Sequence, residues 1–170
     1  MNRQIVRLLL ILLICPRFAY AQPTVEALAT LQRLVDAVRM GDAKAVVNLT
    51  HPKVHELAGG REKMLSVLTE TLQSAKITGH KRDRVVIGKP SALGRDGKQI
   101  FFFVPYVGVS SNNERSATIE AFYLGISADD GDTWRFVDGS RMDQQTIKLF
   151  IPSYSGEPPL PRTKHMVERR

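Results

Sequence analysis

The sequence predicts an α+β fold in which N-terminal helices pack on a curved antiparallel sheet. Three observations carry that expectation. Apolar residues recur at helical spacing up to about Gly79; beyond it come runs rich in aromatic and β-branched residues, separated by turn-forming residues. The longest run, residues 100–109, is apolar on both alternations (Ile100, Phe102, Val104 and Tyr106 against Phe101, Phe103, Val107 and Val109), so both of its faces need a cover.

The first 21 residues stand apart from the fold. They combine Arg3 and Arg7, an apolar run from Leu8 to Cys15, and the small-residue ending Ala19-Tyr20-Ala21, the pattern of a secretory signal peptide cut after Ala21. A stable membrane span needs about 20 apolar residues, and this run is interrupted by Pro16 and Arg17. Ile14 before Cys15 is also unsuited to lipoprotein processing. The expected location is therefore periplasmic or secreted.

From Thr24, which offers an N-cap, the residues Leu28, Leu31, Leu34, Val35 and Val38 mark an amphipathic helix that Gly41 should stop. Asp42 caps a short second helix through Val46, Val47 and Leu49, ended by Thr50-His51-Pro52 because the residue before a proline is pushed out of the helical region. Gly59-Gly60 precedes a third, with Met64, Leu65, Leu68, Leu72 and Ala75 on one stripe. Four strands follow, at 85–87, 100–109, 117–126 and 134–137, with turns at 88–97, 110–113 and 129–132. Residues 143–150 form a last short helix, and the proline-rich basic stretch 153–170 reads as a flexible tail. The folded domain is thus expected over residues 22–152. For residues 100–109, one cover is the helical layer and the other is a cavity wall or a second subunit.

Composition narrows the function. At 43% hydrophobic and 24% charged, the 170 residues suit one soluble domain. The net charge of +7 comes largely from the ends: the signal-like segment holds Arg3, Arg7 and Arg17 and no acid, and residues 157–170 hold four basic residues against two acidic ones. The remainder keeps +2, too little for a nucleic-acid-binding face, so no nucleic-acid partner is expected. Cys15 is the single cysteine. A chain cut after Ala21 has none, which excludes disulfides, thiolate nucleophiles and cysteine-ligated zinc.

The order of helix, short helix, helix and antiparallel sheet over residues 24–150 resembles the nuclear transport factor 2-like superfamily, which includes polyketide-cyclase-like and ketosteroid-isomerase-like proteins. Gly41-Asp42-Ala43-Lys44-Ala45-Val46 is similar to that family's turn between its first two helices, and Gly59-Gly60-Arg61-Glu62-Lys63-Met64 to the start of its third. The resemblance implies a cone with an apolar pocket at its wide mouth and frequent dimers through the sheet. A second motif, Ser127-Ala128-Asp129-Asp130-Gly131-Asp132-Thr133-Trp134, is similar to the Asp-box hairpin of sialidases. Asp129 can accept bonds from turn amides, Gly131 can take positive φ, and Trp134 can pack under the turn. One copy in a chain of this length fixes a hairpin and does not make a propeller glycosidase. Calcium at the aspartate cluster is the alternative, although no full ligand set is visible.

Candidate site residues follow from these placements. His51 and His55, four apart around Pro52, are pocket-rim or capping groups; a metal is the alternative, for which no third ligand is apparent. The run His80-Lys81-Arg82-Asp83-Arg84 protects an edge strand or receives an anion. Phe102, Tyr106, Tyr123, Trp134 and Phe136 are candidate pocket-wall residues, with packing in the core as their plainer role. The acid/base candidates are His51, Glu120 and Asp138; strand alternation sets Glu120 with Phe122 and Leu124, opposite Tyr123. No cofactor is expected. Two readings stay open: an exported non-catalytic module that binds a small apolar molecule or pairs through its sheet as a homodimer, and a small lyase, isomerase or hydrolase using acid/base residues in the cone.

Overall fold

The computed structural model describes residues 23–79, 81–112 and 115–169. The signal-like segment, with its expected cut after Ala21, and His80 lie outside them.

Four helices precede a six-stranded antiparallel sheet. Helix α1 (Val25–Met40) starts where Thr24 accepts a bond from the Ala27 amide at 3.1 Å, and ends at Gly41, whose φ of 75° is the left-handed conformation that closes helices. Helix α2 (Ala43–Leu49) is capped by Asp42, which accepts from the Ala45 amide at 2.9 Å. A separate helix α3 (Pro52–Leu57) follows, beyond the three expected. Pro52 stands in its first turn, where a missing N–H costs nothing, and His51 is its N-cap. The sequence pattern hides it because six residues are too few to show a period. Helix α4 (Arg61–Ile77) completes the layer.

The long strands β3 (Gln99–Ser111) and β4 (Arg115–Ser127) form the centre of the sheet. Strands β1 (Lys81–Ile87) and β2 (Gly94–Asp96) share the outer edge of β3. Strands β5 (Arg135–Asp138) and β6 (Lys164–Arg169) share that of β4. The expectation of a free tail over 153–170 is corrected here, because its last part is β6. Lys164 lies opposite Glu120 in register, so a charged segment with little apolar content still finds hydrogen-bond partners and an opposite charge along the outer half of β4. Residues 143–150 supply only a short 3-10 helix, Thr146–Leu149.

Each face of the sheet has its own core. On the helical side Ala27, Leu31, Leu34 and Val35 of α1 pack with Ile100, Phe102, Val104, Tyr106, Ala121, Tyr123, Trp134 and Phe136. On the other side Phe101, Phe103, Phe122, Leu124, Ile126 and Val137 pack with Met142, Ile147, Phe150, Ile151 and Tyr154. The second cover expected for residues 100–109 is therefore neither a cavity wall nor another subunit over Phe101 and Phe103. It is the chain's own stretch from Met142 to Tyr154, held further by the Tyr154 hydroxyl donating to the Pro158 carbonyl at 2.7 Å. Beyond that cover the same face stays open, with Val86 42% and Val107 40% exposed.

Candidate functional site

Between the helices and the sheet lies a cavity of about 420 Å³. Its roof is apolar: Leu34 and Val38 of α1, Val46 of α2, Val54 of α3, and Met64 and Leu68 of α4, with Thr50 the polar exception. Helix α4 closes it loosely. Leu72 alone is buried among its described residues, while Val67 is 54% and Ile77 86% exposed. Its entry runs through Gly59 (φ 85°) and Gly60 (φ 110°), conformations that favour glycine.

The sheet supplies the floor: Val85 of β1, Tyr106 and Gly108 of β3, Ile119 and Tyr123 of β4, and Phe136, Val137 and Asp138 of β5. Register explains the central group. Asp138 pairs with Tyr123, and Tyr123 with Val104, so Tyr106 is the diagonal neighbour of Tyr123 on one face. Their rings stack with centroids 4.7 Å apart and an interplanar angle of 26°. Gly108 keeps this floor open: a Cβ there would stand 3.0 Å from Ile119 Cγ2 and 3.5 Å from the Tyr106 ring.

The Tyr106 hydroxyl donates to the two Asp138 carboxylate oxygens at 3.3 and 3.4 Å, and the Ser140 amide donates to Asp138 Oδ1 at 2.8 Å. The first two distances are long for an O–H···O bond, leaving the carboxylate acceptor capacity. Burial pushes the Tyr106 hydroxyl well above the ordinary tyrosine range, and the nearby Asp138 charge adds to the effect. Tyr106 thus remains a neutral donor. Asp138 is exposed at the rim, and so is Arg84, which joins the lining from β1.

Of the expected wall residues, Tyr106, Tyr123 and Phe136 line the cavity. Phe102 and Trp134 share that face but lie in the core, with ring centroids 4.9 Å apart, and are not among the lining residues. Trp134 also donates from its indole nitrogen to the Gly131 carbonyl at 3.0 Å. The hairpin motif behaves as its residues dictate: Asp129 accepts from the Ser127 hydroxyl, the Thr133 hydroxyl and the Thr133 amide at 2.6, 2.6 and 2.9 Å, and Gly131 has φ 105°. Those bonds, the one from Ser127 foremost, lower the Asp129 pKa to about 2.

The acid/base candidates are not brought together. Asp138 lines the cavity, whereas Glu120 lies in the row of Phe122 and Leu124 on the opposite face. His51 stands outside the lining. Its Nδ1 accepts from the Lys53 amide at 3.2 Å, and its ring meets Phe150 edge-on at 5.8 Å. Desolvation holds its pKa below the ordinary value, helped by the nearby His55. The His55 Nε2 lies 3.0 Å from the Val47 carbonyl, where its donation ties α3 to α2. Among the described residues no group of three or more His, Cys, Asp and Glu side chains is placed to hold a metal ion.

Sequence reasoning missed Arg84 as a lining residue, along with Thr50 and the roof pair Met64 and Leu68. The helical stripe marked Met64 and Leu68 as inward-facing, but a stripe does not separate a packed interior from a hollow one. Among the described residues no helix is long and apolar enough to cross a membrane. Comparison of the chain with protein-family models, curated proteins and solved structures finds no match.

Proposed function

We propose that the protein is an exported, non-catalytic binding module of the nuclear transport factor 2-like kind that holds a small, largely apolar molecule between its helices and its sheet. The cavity carries the reading. Its volume falls in the range of small-molecule sites, and its wall is apolar with a few polar groups, Tyr106 and Asp138 together at one rim and Arg84 at the other. The loosely held α4 offers a way in without disturbing the sheet. Acid/base chemistry has weaker support, since only Asp138 of the three candidates lines the cavity.

Native mass spectrometry of protein purified from an exporting host, together with titration by the neutral apolar dye Nile red, tests the reading. Retained small-molecule mass or saturable dye binding at one site is expected, and a chain that holds neither overturns it. Export is read by N-terminal sequencing, which should begin at Gln22; a retained Met1 removes that part. A homodimer through the sheet belongs to the same proposal, supported by the exposed apolar surface at Val86 and Val107. Sedimentation that shows a monomer at every concentration removes it.

A further inference from the structure

We propose that the rim at Asp138 is a head-group site for a protonated amine, so that the ligand is an apolar molecule ending in an ammonium group rather than a carboxylate or a neutral hydroxyl. This inference rests on the reading of the cavity as a ligand site and adds the chemistry of one end.

Among the described residues Asp138 is the only acidic one in the cavity lining. No ion pair joins it to a Lys, Arg or His side chain among the described residues. The Ser140 amide and the Tyr106 hydroxyl fix the carboxylate in place, and the long Tyr106 contacts leave both oxygens able to accept further bonds. An ammonium carries three N–H donors, enough to reach such a carboxylate while its alkyl part turns inward. The stacked Tyr106 and Tyr123 rings lie beside that point, and aromatic faces attract a cation.

A carboxylate head is disfavoured at the same place, since it would bring like charge to Asp138 with no hydrogen donor to offer. Among the described residues the only cationic side chain in the lining is Arg84. It stands on β1, three strands across the sheet from Asp138 on β5, a lateral separation of roughly 14 Å at the usual strand spacing. Sign and position therefore discriminate between heads: an amine belongs at the β5 rim, and among the described lining residues an anion finds its counter-charge at the β1 rim.

The experiment compares decylamine, decanol and decanoate, each below its micelle concentration, as competitors of bound Nile red on the full folded chain and on Asp138→Asn and Arg84→Gln. Decylamine should compete about tenfold better than decanol, as expected for a hydrogen bond to a charged group, and better still than decanoate. Asp138→Asn, which keeps the shape and the bond from Ser140, should bring the amine to the level of the alcohol, with each competitor's affinity corrected for the Nile red affinity measured on that variant. Arg84→Gln should preserve the amine's advantage. Equal competition by amine and alcohol, or an amine advantage that survives Asp138→Asn, overturns the inference while leaving the cavity reading standing. Decanoate binding best, and losing that rank in Arg84→Gln, overturns it in favour of an anionic head. Failure of every probe, Nile red included, removes the cavity reading and this inference together.

Discussion

The two faces of the sheet are built from the same strands and similar side chains, yet they end differently. Beneath the helices, Tyr106, Tyr123 and Phe136 border about 420 Å³ of space, and the helix above them keeps only Leu72 buried. Behind the sheet, Phe101, Phe103, Phe122, Leu124, Ile147 and Ile151 are fully buried, and Phe101 and Phe103 each meet Tyr154 edge-on at centroid distances of 6.1 and 6.0 Å. The difference lies in the covering element. A helix is a rigid rod fixed at its ends by its turns, and it spans a hollow where side chains fall short of the floor. An irregular segment such as residues 142–154 follows the relief of the sheet residue by residue. One face thus carries stability and the other is left with room.

That contrast predicts unequal mutational costs. Phe103→Ala removes a ring packed against Phe101, Phe122 and Tyr154, and should destabilise the protein by about 3–5 kcal/mol in chemical denaturation. A loss below about 1 kcal/mol would show that the rear face is not the tight one. Leu68→Ala, on the half-exposed helix bordering existing space, should cost less than about 1 kcal/mol, because the truncated atoms leave a wall already open on one side. A cost equal to that of Phe103→Ala would mean that the cavity is closed and filled in solution.

The smallest effect sharpens the comparison at the seam between the faces. His51 is held below its ordinary pKa of 6.5, so the unfolded chain takes up a proton there before the folded chain does. Its contribution is therefore complete above about pH 6.5 and is lost as the pH falls through and below that value. Melting temperatures between pH 7 and 5 should decline for the natural chain and decline less for His51→Gln. Parallel curves would refute the assignment. Asp129 does not confuse this window, because a carboxyl with its pKa near 2 gives up its share only below about pH 4.

Local chemistry was legible in the sequence. The Thr24 and Asp42 caps, the Gly41 stop and the 127–134 hairpin each rest on bonds within a few residues, and all of them form as their side chains require. Strand alternation also separated Tyr106 from Phe103 and Tyr123 from Phe122. Alternation assigns a face but no depth along the strand, which is why Phe102 and Trp134, with the correct parity, fall in solid core instead of at the cavity. The rear cover and β6 were hidden for another reason. Ile147, Phe150, Ile151 and Tyr154 recur at helical spacing, but Pro152 breaks the run and spacing does not say which face of the sheet it covers, while Lys164–Arg169 is largely charged; both are ordered by partners at Phe101–Phe103 and Arg115–Glu120, far away in the chain.

The cover on the rear face comes from residues that the ribosome delivers after nearly every strand of the sheet. A chain interrupted at residue 141 would present the flat aromatic surface of Phe101, Phe103 and Phe122 to water with nothing of its own to lay over it. Nascent or prematurely ended chains are thus expected to be sticky until residues 142–154 arrive, and light scattering of a 23–141 fragment beside the 170-residue chain reads that difference directly.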